Sequence, residues 1–349
     1  MNWRLISILI SIIPIILMFV FAPVSINDIF AVGIIPFVLS FAASMAKVLL
    51  QAIRFYYFVR KFIGNNVSTF WKIVYARLAG EFVTQTTPSY IGGELVRIAF
   101  LNKNGVPAGR AAWVTTMEII ADVFVGTILA FIAGFDAIID GAVLIGVFII
   151  LIGIPTFGFW FFILIYSAKK NIKLPAFSIG LAKKFTSEEK ALRGINSVNK
   201  ALDDLCVMSR ENFNSFRSVK IFSIGIAITV IAFIFHGLSF LVLTHSIHND
   251  VGLFEAFMAT ASSTILGTLP VTIGGSGLAE WGLWGYITHL NDFSQLGDIL
   301  SDTQLNVIIA WRIASYHFPL IIMWIALMRL ALGKGYSKPS PVDTRLKSK

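Results

Sequence analysis

The chain has 349 residues, 56% hydrophobic and only 13% charged, with a mean hydropathy of +0.80. Soluble domains carry roughly 25% charged residues, so most of this surface faces something other than water. A lone Cys206 excludes an internal disulfide and a cysteine metal cluster, and the net charge of +9 is assigned to the cytoplasmic side of a membrane, not to nucleic acid.

Apolar runs longer than the ~18 residues that mark a membrane helix lie at about 3–22, 30–58, 111–134, 142–168, 221–244 and 305–331. The first is expected to be a retained span. Its run is long, and Pro23 and Val24 stand where a signal peptide would place small cleavage-site residues. The one long polar connection, 169–220, holds eleven basic residues. Thr186 and Glu189 have capping-box spacing, and Leu192, Ile195, Val198, Leu202 and Leu205 recur at helical spacing. This predicts a cytoplasmic amphipathic helix lying on the bundle or on headgroups. The stretch 333–349 reads as a basic disordered tail.

The connections separate by sign. Those near 23–29, 135–141, 245–251 and 288–304 contain no Lys or Arg, whereas the others are basic. The positive-inside rule then predicts a multi-pass protein of the cell membrane with both termini in the cytoplasm.

Two mostly apolar stretches, 70–101 and 252–288, break in their middles. Each break contains P-x-x-I-G-G, at Pro88, Gly92, Gly93 and at Pro270, Gly274, Gly275. The motif is short, and its matching position in each half carries the argument. The first stretch has basic flanks and the second has acidic, Lys/Arg-free flanks. Each is therefore expected to enter and leave on one side. The predicted fold is an all-α integral membrane protein. It has six full transmembrane helices plus two re-entrant helical hairpins, arranged as inverted-topology repeats over about 1–135 and 142–332. Broken helices of this kind meet near the midplane in many transporters.

Several charges fall inside this frame. Arg77 and Glu81 share a helix face, Glu94 and Arg97 follow the first break, and Glu118 and Asp122 are four apart on the third span. Gly277 and Glu280 follow the second break, and Arg312 and Tyr316 lie one turn apart in the last span. A charge at the bilayer centre costs roughly 2.5–3.5 kcal/mol even on a lenient scale. These groups are therefore expected to pair as a structural network or to line a polar cavity for a charged headgroup. The arginines would hold phosphate oxygens, helped by the helix starts after Gly93 and Gly277. The acidic pair either compensates the arginines or carries a coupled proton. Lys47 and Arg54 are read as snorkelling toward the cytoplasmic end.

These residues resemble the flippase-like transmembrane family of lysylphosphatidylglycerol synthases, the membrane half of the multiple peptide resistance factor. The likeness runs through four motifs in order. They are Pro88, Gly92, Gly93 and Arg97; Glu118 and Asp122; Pro270, Gly274, Gly275, Gly277 and Glu280; and Arg312. Ile273 stands before the double glycine where that family commonly has proline. The resemblance implies translocation of a polar or phosphate-bearing lipid between leaflets. It implies no synthase activity, because the soluble aminoacyl-transferring domain of the two-part members has no counterpart here. No cofactor or metal is expected. Two alternatives remain: an intramembrane enzyme, with Ser276 as a rhomboid-like serine beside His317 or His289, and a scaffold without transport. The first fits poorly because Phe318 and Pro319, not small residues, follow His317.

Overall fold

The computed structural model describes residues 32–87, 92–175, 187–213, 215–246, 251–269, 275, 277–289 and 304–332. Among these residues every regular element is helical. Backbone polar groups cannot be left unpaired in hydrocarbon, so apolar runs of this length fold as helices. Helix α1 is Ile34–Phe58, continued by a π-helical turn over Val59–Ile63 that stops at Gly64, φ +135°. Then follow α2 (Phe70–Gln85), α3 (Gly93–Lys103), α4 (Ala108–Ile139), α5 (Val143–Lys169) and α6 (Glu188–Phe213). The rest are α7 (Phe216–Ser246), α8 (Leu253–Gly267), α9 (Leu278–Ile287), α10 (Gln304–Arg312) and α11 (Phe318–Leu332). A π turn, Ile313–His317, joins the last two.

Five of the expected spans are present as long apolar helices: Ile34–Ile63, Ala108–Ile139, Val143–Lys169, Phe216–His245 and Asn306–Ala331. The expected first span, 3–22, lies outside the described residues, as do the cap at Thr186 and the tail 333–349. The two broken stretches fold as helix pairs, α2–α3 and α8–α9, each packed against its own partner. Their helices have 16, 11, 15 and 10 residues, short of the ~20 that a full crossing needs.

The packing is exchanged between halves. Helix α1 packs along α7. The pair α2–α3 lies against α11 through α2, and α8–α9 lies against α4 through α8. Each broken pair thus touches the last long helix of the other half of the sequence as well as helices of its own half.

Helix α5 is the least buried of the five long apolar helices. Val147, Leu151, Ile154, Phe159, Phe162 and Ile165 are all exposed along it. Helix α6 packs beneath α4 and α5, as an amphipathic helix on the bundle should. Its seam is shifted from the one expected. Ile195, Cys206, Met208 and Ser209 are buried, whereas Leu192 and Val198 are exposed. The contact points set this register. Gly109 of α4 abuts Ala201 and Leu205, and Ser209 Oγ lies 2.9 Å from Ser167 Oγ of α5.

Candidate functional site

The two broken pairs and the helices α1, α4, α7 and α10 enclose a cavity of about 280 Å³. Arg77, Glu81, Glu94, Arg97, Glu118, Asp122, Arg312 and Tyr316 all line it. Lys47, Gln51 and Ser44 face it from α1, and His236 and Phe233 face it from α7.

An ion-pair network forms the floor. Arg54 is completely buried and grips Asp122 with both terminal nitrogens, at 2.7 and 2.6 Å. This is the bidentate geometry that suits a planar guanidinium. Arg54 also donates to Thr229 Oγ1 and reaches Glu118 at 3.5 Å. Arg77 donates to Glu118 and to Glu81. Arg97 reaches Glu118 at 3.4 Å and Glu94 at 3.6 Å. Glu118 is therefore shared by three arginines. Arg312 pairs with Glu280 at 2.8 Å, and its guanidinium stacks on the Tyr316 ring at 4.0 Å.

With Lys47, the cluster has five cations among the described residues (Lys47, Arg54, Arg77, Arg97, Arg312). It has five carboxylates (Glu81, Glu94, Glu118, Asp122, Glu280). It is formally neutral. The exposed charges are mostly acidic: Asp122 and Glu94 keep 29% and 26% of their side chains exposed, whereas Arg77 and Arg97 keep 4%. Lys47 is the exception among the cations. It has no carboxylate within 4.0 Å among the described residues, and its ammonium sits 5.8 Å from the Phe233 ring centroid.

Arg54 does not snorkel. Its head turns inward to the α4 carboxylates, because two ionised groups buried there need partners. Lys47 also turns into the cavity. The sequence does hold a signal for this. Ser40, Ser44, Lys47, Gln51 and Arg54 recur at spacings of four, three, four and three, a polar stripe down one helix face. Gln51 completes the stripe by donating to Asp122 at 3.4 Å.

The turns hold their glycines for identifiable reasons. Gly92, Gly275 and Gly277 have φ of +120°, +66° and +87°, values that only glycine adopts freely. A Cβ on Gly93 would collide with the Thr84 side chain and the Gly80 carbonyl. In the second pair, Ser262 Oγ donates to the Gly282 carbonyl at 2.8 Å at the matching small-residue crossing. The helix starts are not open to an outside anion in the way expected. Gly92 N–H donates to Glu94 at 2.8 Å, and Gly277 N–H donates to Glu280 at 2.7 Å. Each glutamate caps its own helix. Pro88, Pro270, Gly274 and Ser276 lie outside the described residues.

The last span ties both pairs together. Arg312 holds Glu280 of the second, while Tyr316 OH donates at 2.6 Å to the Gln85 carbonyl that ends α2. Both residues border or lie in the π turn, a local unwinding that often marks functional positions. His317 lies 3.2 Å through Nδ1 from the Arg312 carbonyl of its own helix. No group of His, Cys, Asp and Glu suited to a metal ion occurs among the described residues.

The family model for the lysylphosphatidylglycerol synthase TM region matches residues 4–322. The chain belongs to that family. No curated protein sequence matches it. Membership of the lysylphosphatidylglycerol synthase TM region family, together with the five apolar helices, makes the chain a multi-pass membrane protein tied to lipid metabolism. Among the described residues its buried carboxylate and guanidinium groups, unlike its apolar surface, are gathered around one cavity.

Proposed function

We propose that the protein is a lipid transporter that passes a polar, phosphate-bearing headgroup through this cavity, moving the lipid between leaflets of the cell membrane. The carrying observation is the neutral set of five cations and five carboxylates around a cavity in the bundle interior. A purely structural core of this size would be more stable if apolar, because desolvating ion pairs rarely repays its cost.

Lys47 takes the phosphate, being the cation without a carboxylate partner among the described residues. Arg97 and Arg312 exchange their glutamates for phosphate oxygens as access alternates. Asp122, Glu94 and Glu81 receive the ammonium or hydroxyl groups of the headgroup, and a coupled proton travels on a carboxylate freed in that exchange. Transport needs no covalent step, so the protein acts as a carrier and not as an enzyme.

The broken pairs are re-entrant hairpins in this reading, related by inverted topology, with both termini cytoplasmic. Their short helices and exchanged packing support it. In intact cells, a cysteine at Ser301 should react with an impermeant thiol reagent and one at Ser197 should not; the reverse pattern would overturn the orientation. Transport itself is tested by reconstituting the purified protein in liposomes containing a labelled phospholipid or polyprenyl phosphate. Leaflet transfer above that of protein-free liposomes is expected. Equal rates for both lipids with and without protein would overturn the proposal.

A further inference from the structure

A second cavity, of about 590 Å³, opens at the basic end of the bundle. It lies where the π turn of α1 ends, α4 and α7 begin, and α6 ends. Arg60, Lys61, Arg110 and Arg217 line it against a single carboxylate, Glu211. None of these four cations has a carboxylate within 4.0 Å among the described residues. They come from three helices far apart in sequence, so the fold itself concentrates them. Two helix starts and two helix ends meet there, so their dipoles largely offset and the side-chain charges decide the potential.

Arg60 is held as part of the wall. It donates to the Asn65 carbonyl and, at 3.5 Å, to the Ser68 carbonyl, and it lies over the Tyr56 ring. Its Nε is buried without a hydrogen-bond partner. Asn65, Asn212, Ser215 and Ser218 add neutral polar groups to the lining. Four like charges gathered in a concave site repel one another unless an anion enters. The size lies within the ~300–1,000 Å³ of small-molecule sites.

We infer that this cleft is a second binding site, for a phosphate-bearing anion carrying two or more negative charges. Four cations against one carboxylate match a phosphomonoester or diphosphate better than a singly charged phosphodiester. The site is separate from the neutral transport cavity, and its existence does not depend on the transport reading. Its ligand is either a lipid headgroup of the adjoining leaflet or a soluble phosphate compound.

The test uses the purified full chain in detergent micelles, with binding measured by calorimetry for two probes, phosphatidic acid in mixed micelles and inorganic pyrophosphate. Phosphatidylcholine serves as the blank. The combined K61Q, R110Q and R217Q variant removes three exposed charges and should bind about tenfold more weakly. A control combining K103Q, K169Q and K200Q removes the same charge elsewhere and should change affinity less than about twofold. Arg110→Gln alone, expected to weaken binding roughly threefold, covers the case in which the triple variant does not fold. Tighter binding of phosphatidic acid supports a lipid ligand, and tighter binding of pyrophosphate a soluble one. Equal losses in variant and control, or binding of neither probe, would overturn the site.

Discussion

The two broken helix pairs are alike in geometry and unlike in charge. Both cross at small residues, Gly80 on Gly93 and Ser262 on Gly282. Both turn through positive-φ glycine, and both cap the following helix with a glutamate. Yet α2–α3 brings Arg77, Glu81, Glu94 and Arg97 to the cavity, whereas α8–α9 brings hydroxyl groups, and its half-buried Glu280 is held on Arg312. The geometry the two pairs share therefore shapes the cavity, and the side chains in which they differ supply its chemistry. The first pair is electrostatically coupled to the closing helix of its own half through Glu118, and the second to the closing helix of its own half through Arg312.

That contrast predicts unequal responses to equivalent changes. Arg77→Gln takes away the ion-pair partner of Glu81 and one of the three arginines on buried Glu118, and should lower stability by about 3–5 kcal/mol, as breaking a buried pair does. Glu280→Gln, by contrast, removes a half-buried carboxylate and leaves Arg312 stacked on Tyr316, and should cost less, about 1.5–3 kcal/mol. Thermal unfolding in detergent would compare them, and equal losses would erase the electrostatic distinction between the pairs. The shared geometry is tested by Gly93→Val, which places side-chain atoms on the Gly80 carbonyl and should cost at least the ~1–3 kcal/mol of overpacking. Gly277→Ala has open space beside it but φ +87°, so it should cost only about 1–2 kcal/mol. The smallest effect is expected for Tyr316→Phe. It removes one hydrogen bond to the end of α2, worth about 0.5–1.5 kcal/mol, and leaves the ring stacked on Arg312.

Much of this was legible in the sequence because hydrocarbon allows few solutions. Uninterrupted apolar runs become helices, and Gly-Gly after proline in an apolar stretch interrupts them, so five spans and both broken pairs fall where the pattern puts them. The convergence of Arg77, Arg97, Glu118, Asp122 and Arg312 on one cavity also follows from the cost of leaving charge in lipid. Three features were less legible. Arg54 and Lys47 lie near the basic end of α1, where snorkelling and inward pairing have the same sequence signature unless the whole polar stripe is followed. The π turn after Arg312 leaves no mark in the apolar period, and its Tyr316 bonds to a helix 231 residues away, beyond the reach of local pattern. The seam of α6 is set by Gly109 and Ser167 on other helices, which local periodicity cannot register.

The central claim is that Arg54 and Arg77 build the cavity while Lys47, Arg97, Arg312 and the exposed carboxylates meet the headgroup. It is tested most directly by Lys47→Gln and Arg54→Gln proteins reconstituted in liposomes, with leaflet transfer of labelled phospholipid and thermal stability measured on the same preparations. Arg54→Gln should unfold at markedly lower temperature, since it strands Asp122. Lys47→Gln should melt close to the parent yet transfer lipid about tenfold more slowly, the loss expected for one charge-assisted phosphate contact. A Lys47→Gln protein as stable and as active as the parent would contradict the claim.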